Sequence, residues 1–319
     1  MKVVYCVKPG SHEDLEVQEI EAPGEPGEGQ IKVDIQARGI QFSDLVQMSG
    51  NYQVKRDFPF VVGGEAAGLV TEIGAGVDDV AVGDRVITPG GCVEQVIVRG
   101  KAVTKIPDGI DFKIAASFRN NYETAYDGLQ RANLQAGEVL LVHGAAGGVG
   151  LAAVDIGKLC GATVIGTASS DEKLAVVEKT GADHIINYTD GFRDQVKALT
   201  GGLGADVIYD PVGGDVFDES MRCIAPFGRI LIVGFTSGRP ALAKTNHLLV
   251  KDATVIGYTT GGLLKHRPSK YAQNSSIVMG WLASGRINPF VSHVLAMEDV
   301  IEAYQLLIDR KVVGKVVLT

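Results

Sequence analysis

Residues 144–150 read GAAGGVG and lie between the apolar run EVLLVH and the stretch LAAVDIGKLC. This is a variant of the GxGxxG pattern with Ala145, Gly147 and Gly150 in its three glycine places. A glycine in the second place lets backbone approach a pyrophosphate, and one in the third lets a helix pack close to its strand. The helix N-terminus supplies free N–H groups and the positive end of the dipole. Between an apolar strand and an amphipathic helix, the loop reads as a dinucleotide cradle in which Gly147, Gly148 and Val149 face the phosphates. Ala145 is a departure from the pattern.

The other end of such a cofactor is read in GTASSDEK, residues 166–173. The carboxylate that accepts ribose hydroxyls in NAD sites falls about 20 residues beyond the glycine loop. That place holds Ala168. Asp171 and Glu172 follow in a first helical turn, where the dipole favours anions, and Ser169 with Glu172 has the Ser-x-x-Glu spacing of a capping box. Lys173 faces the unfavourable end of that dipole. A phosphate beside it removes the conflict and also uses the Ser169 hydroxyl, so the stretch points to NADPH rather than NADH.

Positioning these loops needs strands that end at them. From Glu138 to Gly257 the chain alternates apolar strands (EVLLVH, ATVIGT, HIINY, ADVIYD, RILIVG, ATVIGY) with helical stretches (LAAVDIGKLCG, EKLAVVEKTG, FRDQVKALTGG, DESMRCIAPFG). This rhythm predicts a doubly wound parallel sheet, because parallel neighbours require crossover connections. Up to about residue 120 the pattern is instead β-rich, with IKVDIQARGI and DRVITPGGCVEQVIVRG alternating apolar and polar residues around glycine turns. The tail carries helical patterns at 276–284 and 298–309 and a last strand, KVVLT. That leftover strand needs a sheet elsewhere, so the expected division is 1–120 with 266–319, and 121–265 between them.

A chain of 319 residues exceeds what one hydrophobic core usually serves, and 45% hydrophobic against 21% charged residues excludes a disordered chain. The net charge of −8, with no block of Lys and Arg, argues against nucleic acid and anionic membrane as partners. MKVVYCVKPG lacks the apolar core of a signal peptide, and the run 139–154 is broken by His143 and glycines, so neither export nor a membrane span is expected. Cys6, Cys92, Cys160 and Cys223 form no CxxC pair, which fits reduced thiols in a cytoplasm.

Several motifs in order, GIQFSDLVQMSGNY, PFVVGGEAAGLVTEIGAGV, VGDRV, NNYETAYDGL, VLLVHGAAGGVGLAAV, GADHIINY, VIYDPVGG and RKVVGKVVLT, resemble the quinone oxidoreductase (zeta-crystallin-like) branch of the medium-chain dehydrogenase/reductases. The resemblance covers essentially the whole chain. It implies a GroES-like catalytic domain from the two ends, a Rossmann domain between, a cleft joining them, NADPH dependence, a small-molecule electron acceptor and a homodimer. It further implies Thr124 near the nicotinamide carboxamide, Gly234 and Phe235 beneath the nicotinamide, and Tyr188 and Val212 around the adenosine. Tyr52 is implied beside the acceptor, as donor or stacker, although an aromatic closing a loop explains it equally well. Gln41 stands where relatives carry Asn.

Zinc-dependent members place a Cys near 41–44 and a His before the glutamate of a GHE motif. Here the motif is Gly63, Gly64, Glu65, so the resemblance is to a zinc-free member in which Glu65 is structural. Without a Lewis acid, reduction of a quinone is favoured over alcohol oxidation. An alkene reductase acting on 2-enals, enones or enoyl thioesters uses the same parts. A non-enzymatic NADPH-binding or RNA-binding protein is a third reading, and the acidic charge disfavours its RNA form.

Overall fold

Contacts divide the chain into two units, Met1–Arg119 with Val291–Thr319 and Asn120–Phe290, in a computed structural model that describes residues 1–52 and 55–319. The first unit starts with β1 (Lys2–Cys6), β2 (Leu15–Glu19), β3 (Gln30–Ile40), α1 (Phe42–Met48), β4 (Phe60–Val61), β5 (Glu65–Ile73), β6 (Arg85–Thr88), β7 (Gln95–Arg99) and β8 (Thr104–Lys105). Helix α2 (Phe112–Arg131) enters the second unit at Asn120. There follow β9 (Val139–Val142), α3 (Gly148–Leu159), β10 (Thr163–Ala168), α4 (Asp171–Lys179), β11 (His184–Asn187), α5 (Arg193–Leu199) and β12 (Ala205–Asp210). The unit continues with α6 (Gly214–Cys223), β13 (Ile224–Ile232), α7 (Thr245–Lys251), β14 (Thr254–Gly257), α8 (Thr260–His266) and α9 (Pro268–Ala283). The chain returns to the first unit with β15 (Val291–Leu295), α10 (Val300–Ile308) and β16 (Lys315–Leu318).

In the first unit the long alternating strand β3 is the organiser, pairing antiparallel with β5, β7 and β16. β16 also carries β15 as a parallel neighbour, so the last strand finds its sheet in the first unit as its sequence requires. β6 and β7, which flank the Pro-Gly-Gly turn, do not pair with each other: β6 joins β5 and β7 joins β3. Ile31, Val33, Val70 and Val86, all at most 1% exposed, pack into one apolar cluster, and Ile40, Met48, Tyr304 and Val316 belong to a second.

In the second unit all six expected strands form one parallel sheet in the order β11-β10-β9-β12-β13-β14. The order reverses between β9 and β12, and ligands of open α/β sheets bind beyond the carboxyl ends of the strands at such a switch point. Val139–Val142 is buried on both faces except at its first residue, as a central parallel strand requires.

Three expectations need correction. Residues 266–290 belong to the second unit, not the first: on α9, Tyr271 and Ser275 donate to the Glu123 carboxylate at 2.6 Å each, and Trp281 meets Tyr126 edge-on at 5.3 Å. That helix also starts at Pro268, well before 276, with proline in the first turn where its missing N–H costs nothing. The stretch DESMRCIAPFG is helical only to Cys223, after which β13 begins, and within that strand the exposed Phe227 takes a positive φ of 61° where the pairing with β12 shifts register. No helix among the described residues is long and apolar enough to cross a membrane.

Candidate active site

The glycine loop leaves β9 through His143 and Gly144, whose φ of +53° makes the sharp turn. Gly144 therefore does what the first glycine of the pattern does, which frees the next position for the buried Ala145. Gly147 is the N-cap of α3, with extended φ −78° and ψ 169°. A Cβ at Gly150 would lie 2.3 Å from Gly144 O and 2.7 Å from Ala145 Cα, so helix and loop can meet only over a glycine. At Gly147 the same Cβ would meet only Gly144 O, at 3.3 Å. The protein's own packing thus forbids a Cβ at 150, where two backbone atoms stand under 3 Å away, whereas at 147 a single carbonyl would have to give by a few tenths of an ångström. Gly148 is pressed against α2, since its Cβ would lie 2.5 Å from Asn121 Nδ2. Val149 is half-buried in the first turn of α3.

At the end of β10, Ala168 is buried and pairs in register with Asn187 of β11. The cap of α4 is Ser170, not Ser169: the Ser170 hydroxyl accepts from Lys173 N at 3.5 Å. The expected Ser169–Glu172 box is absent because the helix begins one residue later. Ser169 is half-buried between strand and cap, and Lys173 sits half-buried in the first turn of α4. Tyr188 opens a short 3-10 turn after β11 and packs against the core of this unit. Ser169, Lys173 and Tyr188 therefore share the carboxyl ends of two adjacent strands. Asp171 lies there too, its carboxylate accepting from Asn187 Nδ2 at 3.2 Å.

The loops after β12 and β13 complete this crest. Asp210 ends β12, and its Oδ1 accepts from Val212 N (2.8 Å) and Gly213 N (2.9 Å), which folds the DPVGG turn. Burial raises its pKa, opposed by those two N–H groups, and Oδ2 has no hydrogen-bond partner among the described residues. Thr236 N and Ser237 N donate to Pro211 O and Val212 O at 3.1 and 3.0 Å, which fastens the loop carrying Gly234 and Phe235 to the loop carrying Val212. The loop carrying Val212 meets the glycine loop, since a Cβ at Gly144 would lie 3.5 Å from Pro211 and 3.6 Å from Val212. Thr124, on α2 one turn beyond Asn121, is half-buried, and its carbonyl accepts from the Tyr258 hydroxyl at 3.0 Å.

The residues expected on the acceptor side, Gln41 and Tyr52, belong to the first unit. Gln41 caps α1, its N donating to Asp44 Oδ2 at 2.9 Å and its Nε2 to Glu65 Oε2 at 3.4 Å. Asp44 also accepts from the Tyr304 hydroxyl at 3.0 Å, and burial pushes its pKa up to about 6. Glu65 and Lys315, each 5% exposed at the side chain, face each other at 3.8 Å, and Lys315 Nζ donates to Ile40 O at 3.2 Å. Catalytic zinc takes about three N, S or O protein ligands. Here the glutamate of the motif meets an ammonium and an amide, and an ammonium in that place repels a divalent cation. The donor set does not fit zinc. Tyr52 lies elsewhere, half-buried in a hollow of about 170 Å³ with Pro9, Gln47, Gly50, Lys55, Arg56 and Phe58.

Thus Gly147, Gly148, Val149, Thr124, Val212, Gly234 and Phe235 gather around the switch point, with Ser169, Lys173 and Tyr188 at the next strand ends. Sequence reasoning missed Gly144, Asn121 and Asp210. The extra glycine before Ala145 signalled the first, and Asp-Pro-x-Gly-Gly after a strand signalled the last.

Residues 27–108 match the family model described as alcohol dehydrogenase GroES-like domain, and residues 148–276 match that described as zinc-binding dehydrogenase. A quinone oxidoreductase-like protein 2 homolog of Nematostella vectensis is 40% identical over 300 residues, covering 92% of this chain and 82% of that protein. A 2-haloacrylate reductase of Burkholderia sp is 31% identical over 326 residues, covering 98% and 96%. The crystal structure of Escherichia coli quinone oxidoreductase complexed with NADPH superposes with a TM-score of 0.90 at 30% identity, covering 100% of this chain and 99% of that one. With the sheet order, the glycine loop and the GroES-like segment in agreement, the chain belongs to the quinone oxidoreductase branch of the medium-chain dehydrogenase/reductase superfamily and is an NAD(P)-dependent oxidoreductase.

Proposed function

We propose that this protein is an NADPH-dependent, zinc-independent quinone reductase. The observation that supports the choice of cofactor is the end of β10, where Ala168 stands in place of a carboxylate and Ser169 does not cap α4, so that Ser169 and Lys173 would flank a ribose phosphate bound there. At Gly147 the N-cap of α3 carries no side chain, which fits a pyrophosphate that the N–H groups of α3's first turn would hold. Tyr188 and Val212 would flank the adenosine, and Thr124, Gly234 and Phe235 the nicotinamide. When bound, NADPH supplies a hydride from C4 of its nicotinamide. What remains for the chain is to meet the negative charge that develops on the acceptor oxygen, which needs only a hydrogen-bond donor. The Tyr52 hydroxyl, or the Gln41 amide held by Glu65, serves in that role.

A second reading, an alkene reductase, is favoured by one observation: among the described residues the hollow beside Tyr52 is lined by Lys55 and Arg56 and by no carboxylate, in a chain of net charge −8. Two cations there suit an acceptor that carries an anionic group, and one relative is a 2-haloacrylate reductase. Steady-state NADPH oxidation with para-benzoquinone, phenanthrenequinone, a neutral enone and a carboxylate-bearing acrylate separates the two. Turnover of the quinones supports the first reading. Turnover of the acrylate, with no quinone reduced at saturating NADPH, replaces it by the second.

A further inference from the structure

Beneath the glycine loop lies an imidazole that the proposed reaction does not use. His143 directly precedes Gly144 and is 1% exposed. Its Nδ1 is 3.0 Å from Thr167 Oγ1 and its Nε2 is 2.8 Å from Ser220 Oγ. The proton positions follow from Ser220, whose hydroxyl donates to Val216 O at 2.7 Å. Its one proton is spent there, so toward His143 the Ser220 oxygen can only accept, and Nε2 must carry the hydrogen. Nδ1 is then a bare acceptor and the Thr167 hydroxyl donates to it. Phe192 packs on the ring with centroids 4.5 Å apart.

The three residues belong to the three elements that lead into the cofactor crest. His143 precedes the pyrophosphate loop, Thr167 stands two residues before Ser169 at the ribose end of β10, and Ser220 is on α6, which follows the DPVGG turn. Backbone bonds run the same way: His143 N donates to Tyr209 O of β12 at 3.0 Å, and Ala145 N to Thr167 O at 2.9 Å. We propose that His143 is a positioning residue for the cofactor, a neutral Nε2–H imidazole that holds the pyrophosphate loop, the ribose end of β10 and α6 in one fixed arrangement. The inference rests on the dinucleotide site proposed above. It acts through preorganisation: when the strut is removed these elements are free to shift, and binding must order them again.

The test compares His143→Leu, which removes both hydrogen bonds while filling the space, with His143→Gln, which keeps an N–H donor and a carbonyl acceptor. Ile230→Ala, in the same core, lowers stability without touching the strut. NADPH affinity is measured by fluorescence titration well below the unfolding temperature of every variant, together with kcat and KM. His143→Leu is expected to raise Kd and KM about tenfold with kcat nearly unchanged, His143→Gln to recover much of that loss, and Ile230→Ala to lower the melting temperature with Kd unmoved. Nitrogen NMR of the wild type is expected to show the neutral Nε2–H tautomer. Wild-type affinity in His143→Leu, an equal loss of affinity in Ile230→Ala, or the opposite tautomer overturns the proposal. Wild-type protein that does not bind NADPH overturns the cofactor reading itself, whereas NADPH binding that His143→Leu leaves unmoved overturns this inference alone.

Discussion

Gly147 and Gly150 belong to one sequence pattern, yet the structure gives them opposite reasons for being glycine, and a pair of substitutions separates those reasons. Gly147→Ser adds a side chain where φ is −78°, an ordinary value, at an N-cap that favours serine, and its Cβ approaches only one carbonyl at 3.3 Å. Apo stability is therefore expected to stay within about 0.5 kcal/mol of wild type. The same hydroxymethyl group intrudes where the pyrophosphate would lie. Losing one charge-assisted hydrogen bond there costs roughly 1.5–3 kcal/mol, or about 10- to 150-fold in NADPH Kd. Gly150→Ala puts its Cβ 2.3 and 2.7 Å from backbone atoms that cannot give way without moving the loop. Overpacking of that kind costs about 1–3 kcal/mol, so the melting temperature drops by several degrees. Thermal unfolding without cofactor and a fluorescence titration with NADPH measure the two effects. If Gly147→Ser binds NADPH like wild type at unchanged stability, the phosphates do not sit at the N-terminus of α3.

Lys173→Glu is expected to raise KM for NADPH about tenfold or more while KM for NADH moves little, and equal movement removes the phosphate assignment. Ser170→Ala removes the cap of α4 and is expected to cost about 1 kcal/mol in unfolding experiments, whereas Ser169→Ala costs no measurable stability and weakens NADPH binding. Burial alone pushes the pKa of His143 down to about 3, so between its ordinary 6.5 and that value the unfolded chain takes up a proton that the native protein does not. Its contribution to stability is full above pH 6.5 and is lost as pH falls, by roughly 2 kcal/mol at pH 5. Asp44 and Asp155, pushed up to about 6 by burial, act in the opposite sense over the same range. Comparing His143→Gln with wild type isolates the histidine, and parallel stability curves from pH 7 to 5 would contradict its burial as a neutral group.

The parts of this protein that were legible in its sequence are those set by local periodicity. Six strands and their parallel arrangement follow from apolar runs alternating with helical stretches, and the glycine loop is recognisable by its neighbours. The capping serine was misplaced by one residue because Ser169 and Ser170 both carry a hydroxyl, and only the true helix start decides which one faces the first N–H groups. The role of Gly144 was hidden because a pattern fixes spacing and leaves φ undetermined. Local pattern does not assign residues 266–290 to the second unit, because Tyr271, Ser275 and Trp281 find their partners on α2, some 150 residues earlier, and no local rule anticipates such a contact. The pairing of His143 with Ser220 and that of Glu65 with Lys315 are equally non-local. The acceptor side is the least legible part, since Tyr52 stands beside residues 53–54, outside the described residues, and its role comes from resemblance.

Use of the phosphorylated nucleotide to reduce a quinone is read out by steady-state turnover of phenanthrenequinone by the wild-type protein with NADPH and with NADH as alternative donors, each followed by loss of the reduced nucleotide's absorbance. Quinone-dependent oxidation is expected with kcat/KM for NADPH at least about a hundredfold above that for NADH, because a charge-assisted phosphate contact is present in one donor and missing in the other. Equal use of the two donors, or no oxidation of either in the presence of the quinone, contradicts that expectation.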